Sequence, residues 1–142
     1  MDLKDIESKI INIDTNFPPV DKWNPPLCEG PFFKIDSNGD WFYNNSIIKN
    51  EKLKLLFSRV LKKENNQYYL VTPYEKIIVN PAIAPYVITD FIVTEKGINL
   101  ITNLNYSAKL DKLSATKLIS FNNVDIPIVI IRSNIEAFFS RN

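Results

Sequence analysis

The chain has 142 residues but no histidine, a single cysteine (Cys28) and only three glycines (Gly30, Gly39 and Gly97). Without histidine there is no Ser-His-Asp triad, no Cys-His dyad and no histidine zinc site. One cysteine excludes an internal disulfide and a multi-cysteine metal cluster. Three scattered glycines cannot spell a dinucleotide fingerprint or a P-loop. No run of 18 apolar residues is present, which excludes a transmembrane helix. The charged opening, Met1-Asp2-Leu3-Lys4-Asp5, lacks the apolar core of a secretory signal, so the cytoplasm is the expected compartment. Arginine is scarce as well: Arg59, Arg132 and Arg141 stand against fourteen lysines. Each one offers a planar fork that lysine lacks.

What is present describes a globular protein, 45% hydrophobic and 12% aromatic. Seventeen basic and sixteen acidic residues leave a net charge of +1, too little to hold a nucleic-acid polymer or an anionic membrane by a global field. Leu3, Ile6 and Ile10 predict an amphipathic helix over 2–12. Phe17-Pro18-Pro19 through Pro25-Pro26-Leu27-Cys28 carries four prolines and reads as an extended surface segment. Phe33 and Ile35 alternate with charged residues. Asn38-Gly39 then predicts a tight turn into Trp41-Phe42-Tyr43, with Trp41 and Tyr43 on one side.

Leu53, Leu56, Phe57, Val60 and Leu61 predict a helix over 51–63, capped by Asn50, with Lys54, Lys62 and Lys63 in solvent. Gln67–Thr72 and Ile77–Val79 read as strands. Pro81 and Pro85 flank the best domain boundary, giving 1–80 and 81–142. Tyr86–Thr94 and Ile98–Thr102 form a second hairpin, 103–117 is weakly patterned, and 118–121 and 126–131 return to strand composition. Ser133-Asn134-Ile135-Glu136 spells a capping box, which predicts a short terminal helix carrying Ile135, Phe138 and Phe139. The class is α+β: two small similar subdomains, mostly antiparallel sheets, each with a helix.

Few side chains suggest chemistry. Asp36-Ser37-Asn38-Gly39-Asp40 resembles a calcium loop, but an EF-hand needs glycine sixth and glutamate twelfth, where Trp41 and Ile47 stand. Cys28 has no histidine to activate it, only Lys22, Lys34 or an arginine, and reads as a small buried thiol. Asp90, Glu95, Asp111 and Asp125 show no paired spacing for acid–base work. Trp23, Trp41, Tyr43, Tyr68 and Tyr69 read as core, a base-stacking role needing a basic groove that the sequence does not show.

Several stretches taken together resemble a known family. Trp23-Asn24-Pro25-Pro26-Leu27-Cys28, Gly39-x-Trp41-x-Tyr43 and Leu56-Phe57-Ser58-x-Val60-Leu61 are similar to the bacterial domain-of-unknown-function family 1285. So are Tyr68-x-Leu70-Val71-Thr72-Pro73-x-Glu75-Lys76, Ala84-Pro85-Tyr86, Thr102-Asn103 and Arg132-x-x-Ile135-Glu136-Ala137 with Arg141. The resemblance implies an internal duplication whose second part is superficially like a pleckstrin-homology domain. It also implies a pocket at the interface of the halves suited to a nucleotide-like ligand, a role in signalling, and no catalysis or cofactor. The sequence departs from the family where Glu29 follows the cysteine and where Ser133 and Asn134 replace two glycines. It also lacks a His-Pro near residue 116.

On this reading the protein is a non-catalytic, cytoplasmic ligand-binding protein. Trp23 and Trp41 are the flat walls of the site, Asn24 and Thr72 its hydrogen-bonding groups, and Lys76 and Arg132 its anion partners. Both cations are expected to face a shared cleft rather than a structural carboxylate. The same motifs are equally suited to packing the halves together. The alternative function is a protein-interaction module offering a sheet edge or groove to a partner; an enzyme fits least, given the missing groups.

Overall fold

The computed structural model describes residues 2–10, 17–110 and 116–140. By its contacts the chain divides into two compact units, one of Met1–Asp36 with Asp40–Pro81, the other of Ser37–Gly39 with Ala82–Asn142.

The first unit holds helices α1 (Leu3–Ile10) and α2 (Glu51–Ser58) and strands β1 (Phe33–Ile35), β2 (Trp41–Tyr43), β3 (Ser46–Ile47), β4 (Leu61–Glu64), β5 (Gln67–Val71) and β6 (Lys76–Pro81). The sheet order is β3-β2-β1-β6-β5-β4. Two antiparallel three-stranded meanders meet where β1 and β6 pair in parallel. Cross-strand partners share a face, so Tyr43, Phe33, Val79 and Tyr68 form one apolar row. Phe57 of α2 presents its ring edge-on to Phe33, 5.3 Å between centroids. Ile6 and Ile10 of α1 are also fully buried.

Helix α2 begins as the sequence predicts, with Asn50 Oδ1 accepting the N–H groups of Lys52 and Leu53 at 3.0 and 3.4 Å. It ends at Ser58, five residues short of the predicted end. The next residues turn instead into β4, because Leu61–Glu64 finds a full partner in Gln67–Leu70 across an Asn65-Asn66 turn. This register buries Lys62, which the helical phase places in solvent.

The second unit holds β7 (Tyr86–Thr94), β8 (Gly97–Thr102), β9 (Ser107–Leu110), β10 (Thr116–Phe121), β11 (Val124–Arg132) and β12 (Ile135–Phe139), ordered β10-β11-β12-β7-β8-β9. Read from the other edge, the first sheet has the same order strand for strand, and here too the first and last strands pair in parallel. The two units are thus similar six-stranded mixed sheets.

The terminal segment is not a helix. Ser133-Asn134 is a two-residue hairpin loop, and Ile135–Phe139 lies between β11 and β7. A central strand is covered on both faces, and residues 135–138 are all buried. Burial on both sides outweighs a local Ser-x-x-Glu capping signal. Among the described residues, both α-helices therefore belong to the first unit.

Short turns rest on asparagine. Asn44-Asn45, Asn65-Asn66 and Asn122-Asn123 all have positive φ at both residues and close hairpins with two-residue loops. This is the type I′ arrangement whose twist matches that of the flanking strands. Asn38-Gly39 lies in a longer loop, closed where Asp36 Oδ1 and the Asp40 N–H bond at 2.9 Å, with Gly39 at φ +85°. Trp41 and Tyr43 are both buried, as expected of one face.

Candidate functional site

The first sheet's other face carries a charged cluster. Lys62 and Glu64 alternate along β4, Tyr69 pairs with Lys62 on β5, and Lys76 opens β6 opposite Val71. Lys76 Nζ lies 2.9 Å from Glu64 Oε2, and Lys62 Nζ lies 3.1 Å from Glu64 Oε1. Each carboxylate oxygen thus receives one ammonium. Lys62 Nζ also donates to the Trp23 carbonyl at 3.0 Å, and Lys76 Nζ sits 4.6 Å from the centre of the Tyr69 ring. The hydrogen bonds from Lys76 and then Lys62 hold the Glu64 carboxyl below its ordinary value of 4.5. Two cations face one anion, and both partners of the Lys76–Glu64 pair keep part of their side chains in solvent.

The proline-rich segment crosses this region. Its Pro26 carbonyl accepts from the Lys76 N–H at 3.0 Å, and Cys28 N–H donates to the Lys76 carbonyl at 2.8 Å, so Leu27 bridges the start of β6 in parallel. That contact fixes the chain near Trp23, which is half-buried, and Asn24, which is exposed. Thr72 is fully buried. Its hydroxyl accepts the N–H groups of Tyr74 and Glu75, both at 3.1 Å, and so shapes the turn at Pro73 that delivers Lys76. Trp41 is fully buried against Phe33, 6.3 Å between ring centroids, and its indole N–H has no hydrogen-bond partner among the described residues.

Lys76 therefore shares a face of the first sheet with Lys62, Glu64 and Tyr69, where Trp23 is tied by its carbonyl. Trp41 belongs to the opposite, core face, and Thr72 is buried in the turn before β6. Lys76 is held by a carboxylate, where the sequence reading had it facing a cleft. The partner is Glu64, a residue that becomes visible only once 61–64 is a strand. Lys62 was missed for the same reason. Glu75, the nearest carboxylate in sequence, pairs with Lys9 at 2.6 Å.

Arg132 belongs to the second unit, at the end of β11. Its guanidinium carbon lies 5.7 and 5.9 Å from the ring centres of Tyr86 and Tyr106, and Nη2 donates to the Tyr86 hydroxyl at 3.1 Å. Two tyrosines thus fix the fork. Arg141 lies outside the described residues. No group of three or more acidic or cysteine residues is arranged to hold a metal ion among the described residues, and none of the described helices is long and apolar enough to cross a membrane.

Comparison with known proteins agrees with the topology. A family model described as the N-terminal domain of a domain of unknown function (DUF1285) matches residues 18–81. The crystal structure of a DUF1285 family protein from Silicibacter pomeroyi is similar over 96% of this chain and 78% of its own, with 30% identity and a TM-score of 0.82. A second, from Shewanella baltica, is similar over 80% of this chain and 87% of its own, with 26% identity and a TM-score of 0.67. No curated protein matches. With its N-terminal motifs recognised and nearly its whole length superimposable on a relative 30% identical, the chain belongs to the DUF1285 family.

Proposed function

We propose that this protein binds a small nucleotide-like anion without transforming it, and that the Lys62–Glu64–Lys76 cluster marks the site. The observation that carries this reading is the convergence of two ammonium groups on one carboxylate beside the Trp23 carbonyl and the Tyr69 ring. An ammonium has three donors, and Glu64 takes one of those on Lys76, so a phosphate has donors to meet there. The Tyr69 ring alongside suits a flat heterocycle. Asn24 supplies an exposed amide, Thr72 shapes the turn behind Lys76, and Trp41 supports the sheet from its core face. Arg132 is the anion partner of the second unit in the same reading.

The test is a thermal-shift screen with AMP, GMP, ATP and inorganic phosphate, since a ligand that binds only the folded state raises its midpoint. Any hit is then titrated against Lys76→Ala, Lys62→Met and Arg132→Ala. Loss of a charge-assisted bond should weaken binding about ten- to a hundredfold. A panel with no stabilising member, or a hit indifferent to all three substitutions, overturns the reading. A second reading, a protein-interaction module, draws support from Phe91, Ile92 and Val93, three consecutive residues of β7 that are 60%, 51% and 67% exposed.

A further inference from the structure

A cavity of about 420 Å³ lies within the second unit, on the face of its sheet that carries Val87, Ile126 and Phe138. Val87 of β7 and Ile128 of β11 are the neighbours of Phe138 on either side of it, and together they form the unit's apolar core row. Phe121 and Val124, paired at the end of the β10–β11 hairpin, rise beside it. Asn38 and Asn122 also line the cavity. None of the described residues lining the cavity carries a charge.

The topological match between the sheets says what such a row ordinarily receives. In the first unit the equivalent row, Tyr68–Val79–Phe33, is met by the phenyl ring of Phe57. In the second unit Ile128 is fully buried and Ile83, Ile119, Phe121 and Val124 pack against the row, while Val87 and Phe138 also line the cavity. The floor is also fixed. The Val87 N–H donates to Asn103 Oδ1 at 3.0 Å, and its carbonyl accepts from Asn103 N–H at 3.0 Å, so the cavity cannot collapse by shifting β7 alone.

From this we infer that the second unit holds a binding site for an uncharged, planar ring compound with hydrogen-bonding groups on its edge. The volume falls within the range of small-molecule sites, about 300–1,000 Å³, and suits a two-ring molecule. Phe121, Phe138 and Val124 suit a flat ring, and the largely polar accessible lining suits one rich in hydrogen-bonding groups. The Asn122 amide in the lining favours an edge that both donates and accepts. An ion is disfavoured, since none of the described residues lining the cavity carries a charge to offset its desolvation. This site differs in residues and in ligand charge from the lysine cluster of the first unit.

The probe is 2-quinolinone, a neutral bicyclic lactam, with quinoline-2-carboxylate as the charged control. Binding is followed by methyl NMR signals of Val87, Val124 and Ile126. The lactam should shift these signals at concentrations of about 1 mM, and the carboxylate should bind at least about tenfold more weakly. Val124→Trp, which fills the cavity from its wall, should weaken lactam binding by about tenfold or more. Asn122→Gly keeps the left-handed turn while deleting the amide, and should weaken it about threefold to tenfold. Lys76→Ala should leave it unchanged, which separates this site from the nucleotide-like one. The inference is overturned if the lactam moves none of these signals, if the carboxylate binds equally well, or if both cavity variants bind like the wild type.

Discussion

Replacing Gly39 with alanine tests how the second unit is built around a hairpin tip. A Cβ at Gly39 would lie 2.5 Å from Val87 Cγ2 and 3.0 Å from Asn103 Nδ2. Asn103 is the residue whose amide and backbone bracket Val87, so the intruding methyl presses on that bracket. Gly39 also has φ +85°, where a side chain costs about 1–2 kcal/mol. Overpacking of this severity adds about 1–3 kcal/mol. The expected loss is therefore about 2–5 kcal/mol, read by urea denaturation at NMR signals of second-unit residues such as Val87. Adding Val87→Ala removes the closer clash but not the backbone strain. In a double-mutant cycle the pair should recover about 1–3 kcal/mol relative to the sum of the single changes. A loss below about 1 kcal/mol, or an additive cycle, would refute the packing described at this tip.

Ser133, at φ +48°, stands in a left-handed turn position. Ser133→Gly should stabilise the protein by about 0.5–1 kcal/mol in the same urea assay, the relieved strain outweighing the added freedom of the unfolded chain. Phe57 is fully buried whereas Leu56 is half-buried, so Phe57→Ala should cost about 3–5 kcal/mol and Leu56→Ala measurably less. Because its lysine partners depress the folded-state pKa of Glu64, its contribution is complete above the ordinary value of 4.5 and is lost as pH falls through the lowered one. The stability gap between wild type and Glu64→Gln should accordingly be full at neutral pH and close in acid. A gap that widens on acidification contradicts the sign.

The residues announced most strands but not their assembly. Apolar alternation located β1, β2, β5, β6, β7, β8, β10 and β11, because each pairs with a neighbour close in sequence. Three Asn-Asn hairpins are equally local, yet the sequence reading finds its hairpin turns at the glycine-containing Asn38-Gly39 and Glu95-Lys96-Gly97, since asparagine in both left-handed positions is a weaker signal than glycine. Val60 and Leu61 fit a helical stripe and are buried, but as residues entering β4; periodicity alone could not tell the two apart. The terminal capping box failed for a non-local reason, the parallel pairing of Ile135–Phe139 with β7. The candidate site was half legible. Trp23, Asn24, Thr72 and Lys76 stood in recognisable motifs, whereas Lys62 and Glu64 emerged only from strand register.

The parallel closure of each sheet also sets an order of events in time. Hairpins closed by Asn-Asn form from neighbouring residues, within microseconds for such elements. Phe33 must instead wait for Val79, and Tyr86 for Ala137. During synthesis each meander therefore precedes its sheet, and the inner edges of β1 and β7 stay unpaired until their last strands emerge. Such delayed, non-local pairing slows folding and leaves strand edges open to other chains. The ribosome-bound chain should be most prone to misassociate after β1 and before β6 has left the exit tunnel, and again between β7 and β12.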